Sequence, residues 1–208
     1  AMNTAKTDFK KEIASYTAKL GVFDLVTVPP LRYLMIDGHG DPNTAQEYKN
    51  AVETMFPVAY AIKFFSKREL DRDYTVMPLE ALWSADDLTT FTSREKSAWD
   101  WTLLNLVPSW ITDEHFAAAL DAVTRKGGAP TLDRLRLEDL SEGLCAQTLH
   151  VGSYDDEAPV LERLHKEFIP AQSLRETDRH HEIYLSDPRR VAPEKLRTIL
   201  RQPVARVP

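Results

Sequence analysis

The stretch His180-His181-Glu182-Ile183-Tyr184-Leu185-Ser186-Asp187-Pro188 alternates like a short half-buried strand closed by an Asp-Pro turn. Successive side chains leave a strand on opposite faces. Glu182 and Tyr184 therefore share one face, and Ile183 and Leu185 take the other. The apolar pair supplies a core face. A carboxylate beside a phenol can hold a polar or cationic ligand or move a proton; it can equally be a pair of ordinary surface residues.

Upstream, the chain arrives at this stretch by an order that it uses twice. Residues 144–151 read as a strand and Gly152-Ser153 as a turn, and Ser153 with Asp156 has the capping pattern of a helix over 154–168. Its apolar stripe is Ala158, Leu161, Leu164 and Phe168. Earlier, strand 31–36 runs into the turn-rich Asp37-Gly38-His39-Gly40-Asp41-Pro42-Asn43, then a helix over 45–67 behind Thr44 and Glu47. Tyr48, Val52, Met55, Phe56, Ala59, Tyr60 and Phe64 recur there at three- and four-residue steps. Strand pieces at 74–77 and 79–83 follow, and Gly40 and Gly152 occupy corresponding turns. The expected class is α+β: two βαββ-type repeats related by a pseudo-twofold axis, joined in one antiparallel sheet. Helices are expected on one face and a ligand cleft on the other.

The remaining segments attach to this frame. Residues 8–20 suggest a short amphipathic helix, with Phe9, Ile13 and Tyr16 on one side, acting as an arm over residues 1–20. The single domain then spans 21–208, with repeats near 21–110 and 135–204. Pro29-Pro30 after the β-rich 22–28 fits a sheet edge or a break. Trp99 to Val107 is a strong strand, and 84–97 a polar loop. A helix from Glu114 to about Lys126 ends at Gly127-Gly128. Residues 135–140 read as a linker, and Pro193 as a helix start ahead of Leu196, Ile199 and Leu200.

Composition narrows the function. The 208 residues are 43% hydrophobic and 28% charged, enough for one compact core. Net charge is -6 with a pI near 5.5, the wrong balance for nucleic acid. Mean hydropathy is -0.38, and no stretch approaches a membrane span. The first six residues lack the hydrophobic segment of a signal peptide, and Ala1 before Met2 reads as a cloning scar. One cysteine, Cys145, excludes an internal disulfide; it suits the cytoplasm and a buried inert thiol.

Candidate site residues follow from residue type. Trp99 and Trp101 share a strand face, Trp83 lies on a neighbouring strand, and Trp110 follows Pro108. Flat aromatic walls around a carboxylate suit hydrophobic or cationic planar molecules, while core packing is the ordinary use of tryptophan. Glu182 walled by tryptophans would have its pKa raised toward that of a working acid or base. Tyr33, Met35, Tyr60 and His150 complete the ligand-binding candidates. His39, His150, His165, His180 and His181 lack any metal-ligand spacing, and adjacent strand histidines diverge, so no metal and no cofactor is expected. No phosphate loop or nucleophile elbow is present.

The segments 142–157, 180–190 and 196–204 resemble the GyrI-like family of small-molecule-binding proteins, which also supplies effector domains to multidrug-responsive regulators. The likeness extends from about residue 20 to 204. It implies two βαββ-type repeats with a cleft between them, and a cleft glutamate matching Glu182. For the standalone branch, which lacks a DNA-binding domain as this chain does, it implies metal-independent hydrolysis of cyclopropanoid electrophiles. Glu182 and Tyr184 would then be catalytic. The alternatives are a binding or sensing module without chemistry and a gyrase-protecting interaction. A monomer or weak homodimer is expected.

Overall fold

The computed structural model describes residues 5–84 and 95–208. Among these, the strands are β1 (Asp24–Val28), β2 (Leu31–His39), β3 (Glu80–Ser84), β4 (Asp100–Val107), β5 (Arg136–Leu140), β6 (Gly143–Val151), β7 (Leu174–Glu176), β8 (His180–Tyr184) and β9 (Arg197–Arg206). The main helices are α1 (Phe9–Glu12), α2 (Gln46–Glu69), α3 (Asp113–Arg125) and α4 (Ala158–Glu162). α4 continues through a π-helical turn, Arg163–Phe168, into Ile169–Ala171.

One antiparallel sheet runs β1-β6-β9-β8-β3-β4-β2-β5, with β7 added on β9. The order is symmetric about its middle: β8, β9, β6 and β1 mirror β3, β4, β2 and β5. The halves meet where β3 pairs with β8, in the register Glu80↔Ile183 to Trp83↔His180. The expected α+β class, repeats and joined antiparallel sheet are all present.

The edges are exchanged between halves. β1 precedes β2 in the chain but pairs with β6, and β5 precedes β6 but pairs with β2. Pro29-Pro30 between β1 and β2 has two fixed φ angles and no N–H groups, so a tight hairpin cannot form there. Residues 135–140, expected as a linker, are therefore largely the edge strand β5.

Other local expectations change for identifiable reasons. The 8–20 segment holds only the four-residue α1 and a 3-10 turn, Ala14–Tyr16. Residues 74–77 form no strand; Tyr74 makes only a bridge to Thr7. Thr44 does not cap α2, because its N–H and that of Ala45 turn back to the Asp41 carbonyl. Pro193 opens a 3-10 turn, not a helix, and Leu196, Ile199 and Leu200 lead into and along β9. β9 is buried on both faces over most of its length, and such a continuous apolar run also satisfies helical spacing. Most of the expected 84–97 loop lies outside the described residues; Lys96–Ala98 is a 3-10 turn.

The sheet is covered on both faces. On one, Leu34, Ile36, Trp101 and Leu103 pack against Met55, Val58 and Ile62 of α2, while Ala146 and Leu200 pack under Leu164 and Ile169. On the other, Tyr33, Met35, Leu104, Ile183 and Ile199 are closed over by Phe9, Ile13 and Tyr16. Because the arm seals that second face, the cleft does not open opposite the helices. It opens on the helix-bearing face, between α2 and α4.

Beneath the arm lies a buried polar seam. His181 reaches Glu80 through Nε2 at 2.7 Å and Glu142 through Nδ1 at 2.9 Å. Both ring nitrogens face carboxylates, so both donate and the ring is an imidazolium. Burial works against that charge, but Glu142 and Glu80 outweigh it and raise the His181 pKa. Arg201 donates to Glu142 at 3.1 Å and to the Ser15 carbonyl at 2.8 Å, and the Tyr16 hydroxyl donates to Glu80.

Candidate functional site

β8 brings the site together by alternation. His181 and Ile183 point into the seam and core, while His180, Glu182 and Tyr184 point to the helix side. Directly across the β3–β8 junction, Ala81 pairs with Glu182 and Trp83 with His180. Small Ala81 leaves space over Glu182, and the indole of Trp83 extends beside it. These side chains form the floor of a cavity of about 1140 Å³. Tyr48, Val52, Phe56 and Tyr60 of α2 form one wall, and Tyr154, Glu157 and Leu161 the other.

A directed line of hydrogen bonds crosses the floor. The Trp83 indole N–H donates to the Tyr184 oxygen at 3.0 Å, and the Tyr184 hydroxyl donates to Glu182 Oε1 at 3.1 Å. His180 Nε2 meets the other oxygen, Oε2, at 2.9 Å. Aromatic pairs stiffen the surround: Trp83 stands edge-on to Trp99 at 5.3 Å, and Tyr154 edge-on to Tyr184 at 5.5 Å.

The electrostatics differ from the sequence expectation. Burial pushes the Glu182 carboxyl upward, but hydrogen bonds with His180, Glu157 and Tyr184 pull it below its ordinary value. Donors win over desolvation, so Glu182 is a held carboxylate and not a group with a raised pKa. Tyr184 goes the other way: burial first, then the adjacent Glu182 charge, lift its pKa well above the usual phenol value. It stays a protonated donor.

The structure brings together Glu182, Tyr184, Trp83, Trp99 and Tyr60 at this cavity. It places the other candidates elsewhere. Trp101 is under the wall, its ring against Tyr48 at 5.2 Å and lying across Gly38. Tyr33 and Met35 face the arm side of β2. His150 turns its Nε2 to the Ser153 carbonyl at 2.8 Å and braces the turn before α4. Sequence reasoning missed His180, Glu157, Tyr48 and Tyr154 as lining residues. His180 carries a signal, since it is two residues before Glu182 on the same strand face. Tyr48 sits in the α2 stripe whose spacing indicates packing on the sheet, while Glu157 and Tyr154 follow a helix-capping pattern that explains them without a site. Cys145 is buried, and burial pushes its thiol up to about 12, consistent with an inert group. No cluster able to hold a metal exists among the described residues.

The family profile of the GyrI-like small molecule binding domain matches residues 22–205. The chain belongs to the GyrI-like family. Among solved structures, this GyrI-like chain is similar to an uncharacterized conserved protein from Listeria innocua, at 36% identity and a TM-score of 0.88 over 96% of this chain and 100% of that one. It is similar also to a hydrolase from Listeria innocua, at 36% identity and a TM-score of 0.83 over 96% of this chain and 100% of the other. The C-terminal domain of EcmrR shares the fold alone, at 10% identity and a TM-score of 0.56 over 89% and 98% of the two chains. No curated protein sequence matches. No helix among the described residues is long and apolar enough to cross a membrane.

Proposed function

We propose that this GyrI-like domain takes a planar, electrophilic small molecule into the cavity and opens a strained, cyclopropanoid-type ring with water. The observation that carries the reading is the line Trp83, Tyr184, Glu182 on the floor of an aromatic cavity. Trp83, Trp99 and Tyr60 hold the flat ligand. Glu182 orients a water and takes its proton as the oxygen bonds to the ring carbon. The breaking carbon–carbon bond sends its electron pair to a conjugated carbonyl oxygen of the ligand, which Tyr184 protonates. Glu182 then returns the water's proton to Tyr184 across their 3.1 Å hydrogen bond, so water is split across the bond with no net change in the protein. The hydrolase from Listeria innocua, alike over the whole of its length, supports a hydrolytic reading.

Purified protein mixed with a cyclopropanoid alkylator is expected to yield the ring-opened, water-added product by mass spectrometry. Glu182→Gln should slow that turnover by about 100-fold or more; equal turnover in the variant would remove Glu182 from the mechanism. One observation favours a second reading, of binding without chemistry: Glu182 is already satisfied by His180, Tyr184 and Glu157, which makes it a good cation partner and a weak base. In that case tryptophan fluorescence reports binding, and the ligand is recovered intact.

A further inference from the structure

We propose that His180 is a positioning residue, which aims Glu182 into the cavity and leaves its negative charge available to the ligand, with His165 and Glu176 set behind it for that purpose. The inference rests on the ligand-binding part of the reading above and not on ring opening.

Against the Glu182 carboxylate, His180 Nε2 carries the hydrogen, and Nδ1 is then bare. That Nδ1 is buried and has no hydrogen-bond partner among the described residues, so a second proton there would find no acceptor. What packs on the ring is another imidazole, His165, with centroids 5.4 Å apart and planes at 59°. His165 is delivered by the π-helical turn Arg163–Phe168, an irregularity that concentrates at functional sites. Its Nδ1 is engaged by Glu176 of β7, so the carboxylate that could have attracted a proton to His180 is committed to His165. The charged and titratable groups around His180 are Glu182 and Tyr184 on its own strand face, His181 on the opposite face, His165, Glu176, and Glu157 before α4. Burial first, then His165 and His181, lower the His180 pKa against the pull of Glu182.

An uncharged donor has a specific consequence. An imidazolium would cancel the carboxylate and leave a neutral pair, whereas a neutral imidazole fixes the carboxylate's orientation and leaves one negative charge facing the aromatic walls. The arrangement favours a ligand that is cationic or that gains positive charge.

The test uses the planar cation N-methylacridinium and its neutral counterpart N-methylacridone, with binding read from tryptophan quenching between about pH 5 and 8, where histidine titrates. In the wild type, cation affinity should fall at the acid end while N-methylacridone affinity stays flat. His165→Phe should move the acid fall to higher pH. His180→Gln, whose amide can still donate to Glu182 but does not titrate, should flatten the fall. A profile left unmoved by both substitutions overturns the proposal. Independently of any ligand, ¹⁵N NMR of the free protein should show the Nε2–H tautomer of His180, with a pKa that rises in His165→Phe; an Nδ1–H tautomer, or a pKa indifferent to His165, overturns it. If neither dye binds the wild type, the ligand reading fails while the NMR result still decides the role of His180.

Discussion

Gly38 and Trp101 are directly paired across β2 and β4, and that one pairing decides which tryptophans meet the ligand. The Trp101 ring lies flat over Gly38, where an added Cβ would come within 2.0 Å of the ring. Only the missing side chain lets the indole lie there, under Tyr48, as part of the cavity's foundation. Trp83 and Trp99 are consequently left to form the aromatic floor that lines the cavity. Gly38→Ala must displace a large, 1%-exposed indole, an overpacking that costs about 1–3 kcal/mol. Urea denaturation should show that loss, together with weakened ligand quenching as Tyr48 shifts; a variant as stable as wild type would mean the indole has another place to go.

The arm is the element whose contribution was least visible in the sequence. Phe9, Ile13 and Tyr16 have helical spacing, but the segment is held mainly by what the sheet offers it: Arg201 and Gln147 donate to the Ser15 carbonyl, and Glu80 accepts from Tyr16. Removing that hydroxyl in Tyr16→Phe takes a donor from a buried carboxylate, at a cost of about 1.5–3 kcal/mol. The loss should be seen in urea unfolding and in faster amide exchange over residues 13–17. A change under about 0.5 kcal/mol would show the hydroxyl to be idle. The seam's partners lie up to 186 residues apart, and no local pattern announces such contacts. The same is true of the edge exchange, where Pro29-Pro30 forbids a hairpin but does not say which strand β1 joins. Alternation over 180–185, the Ser153 cap and the Gly127-Gly128 stop are local chemistry, and these were legible. So was Glu182 as a cavity residue, because its strand face follows from a count of two. Its ionisation was not, since that depends on His180 and Glu157, and the Glu157 contact crosses from another element.

At the scale of the whole molecule, the seam links β3 of one half to β6, β8 and β9 of the other, so its charges report on the integrity of the joint. Glu142 is 2% exposed at its side chain. Burial would raise its pKa, but His181 and Arg201 lower it from 4.5 to about 2. A carboxylate whose folded pKa is depressed adds stability that is present above its unfolded pKa and lost as pH falls through the folded one. For this shift the contribution is about 3 kcal/mol, disappearing between about pH 5 and 2. His181 has the opposite sign: its pKa is raised, so its contribution is complete below the ordinary histidine value of about 6.5 and fades as pH climbs through the higher folded value. Stability should therefore peak in the window between the two and fall on both sides. Glu142→Gln should lower the neutral plateau by about 3 kcal/mol and flatten the acid limb, and urea unfolding at a series of pH values measures both. The alkaline limb should persist in that variant, since Glu80 still faces His181 at 2.7 Å. An acid limb unchanged by Glu142→Gln would place the acid sensitivity outside the joint.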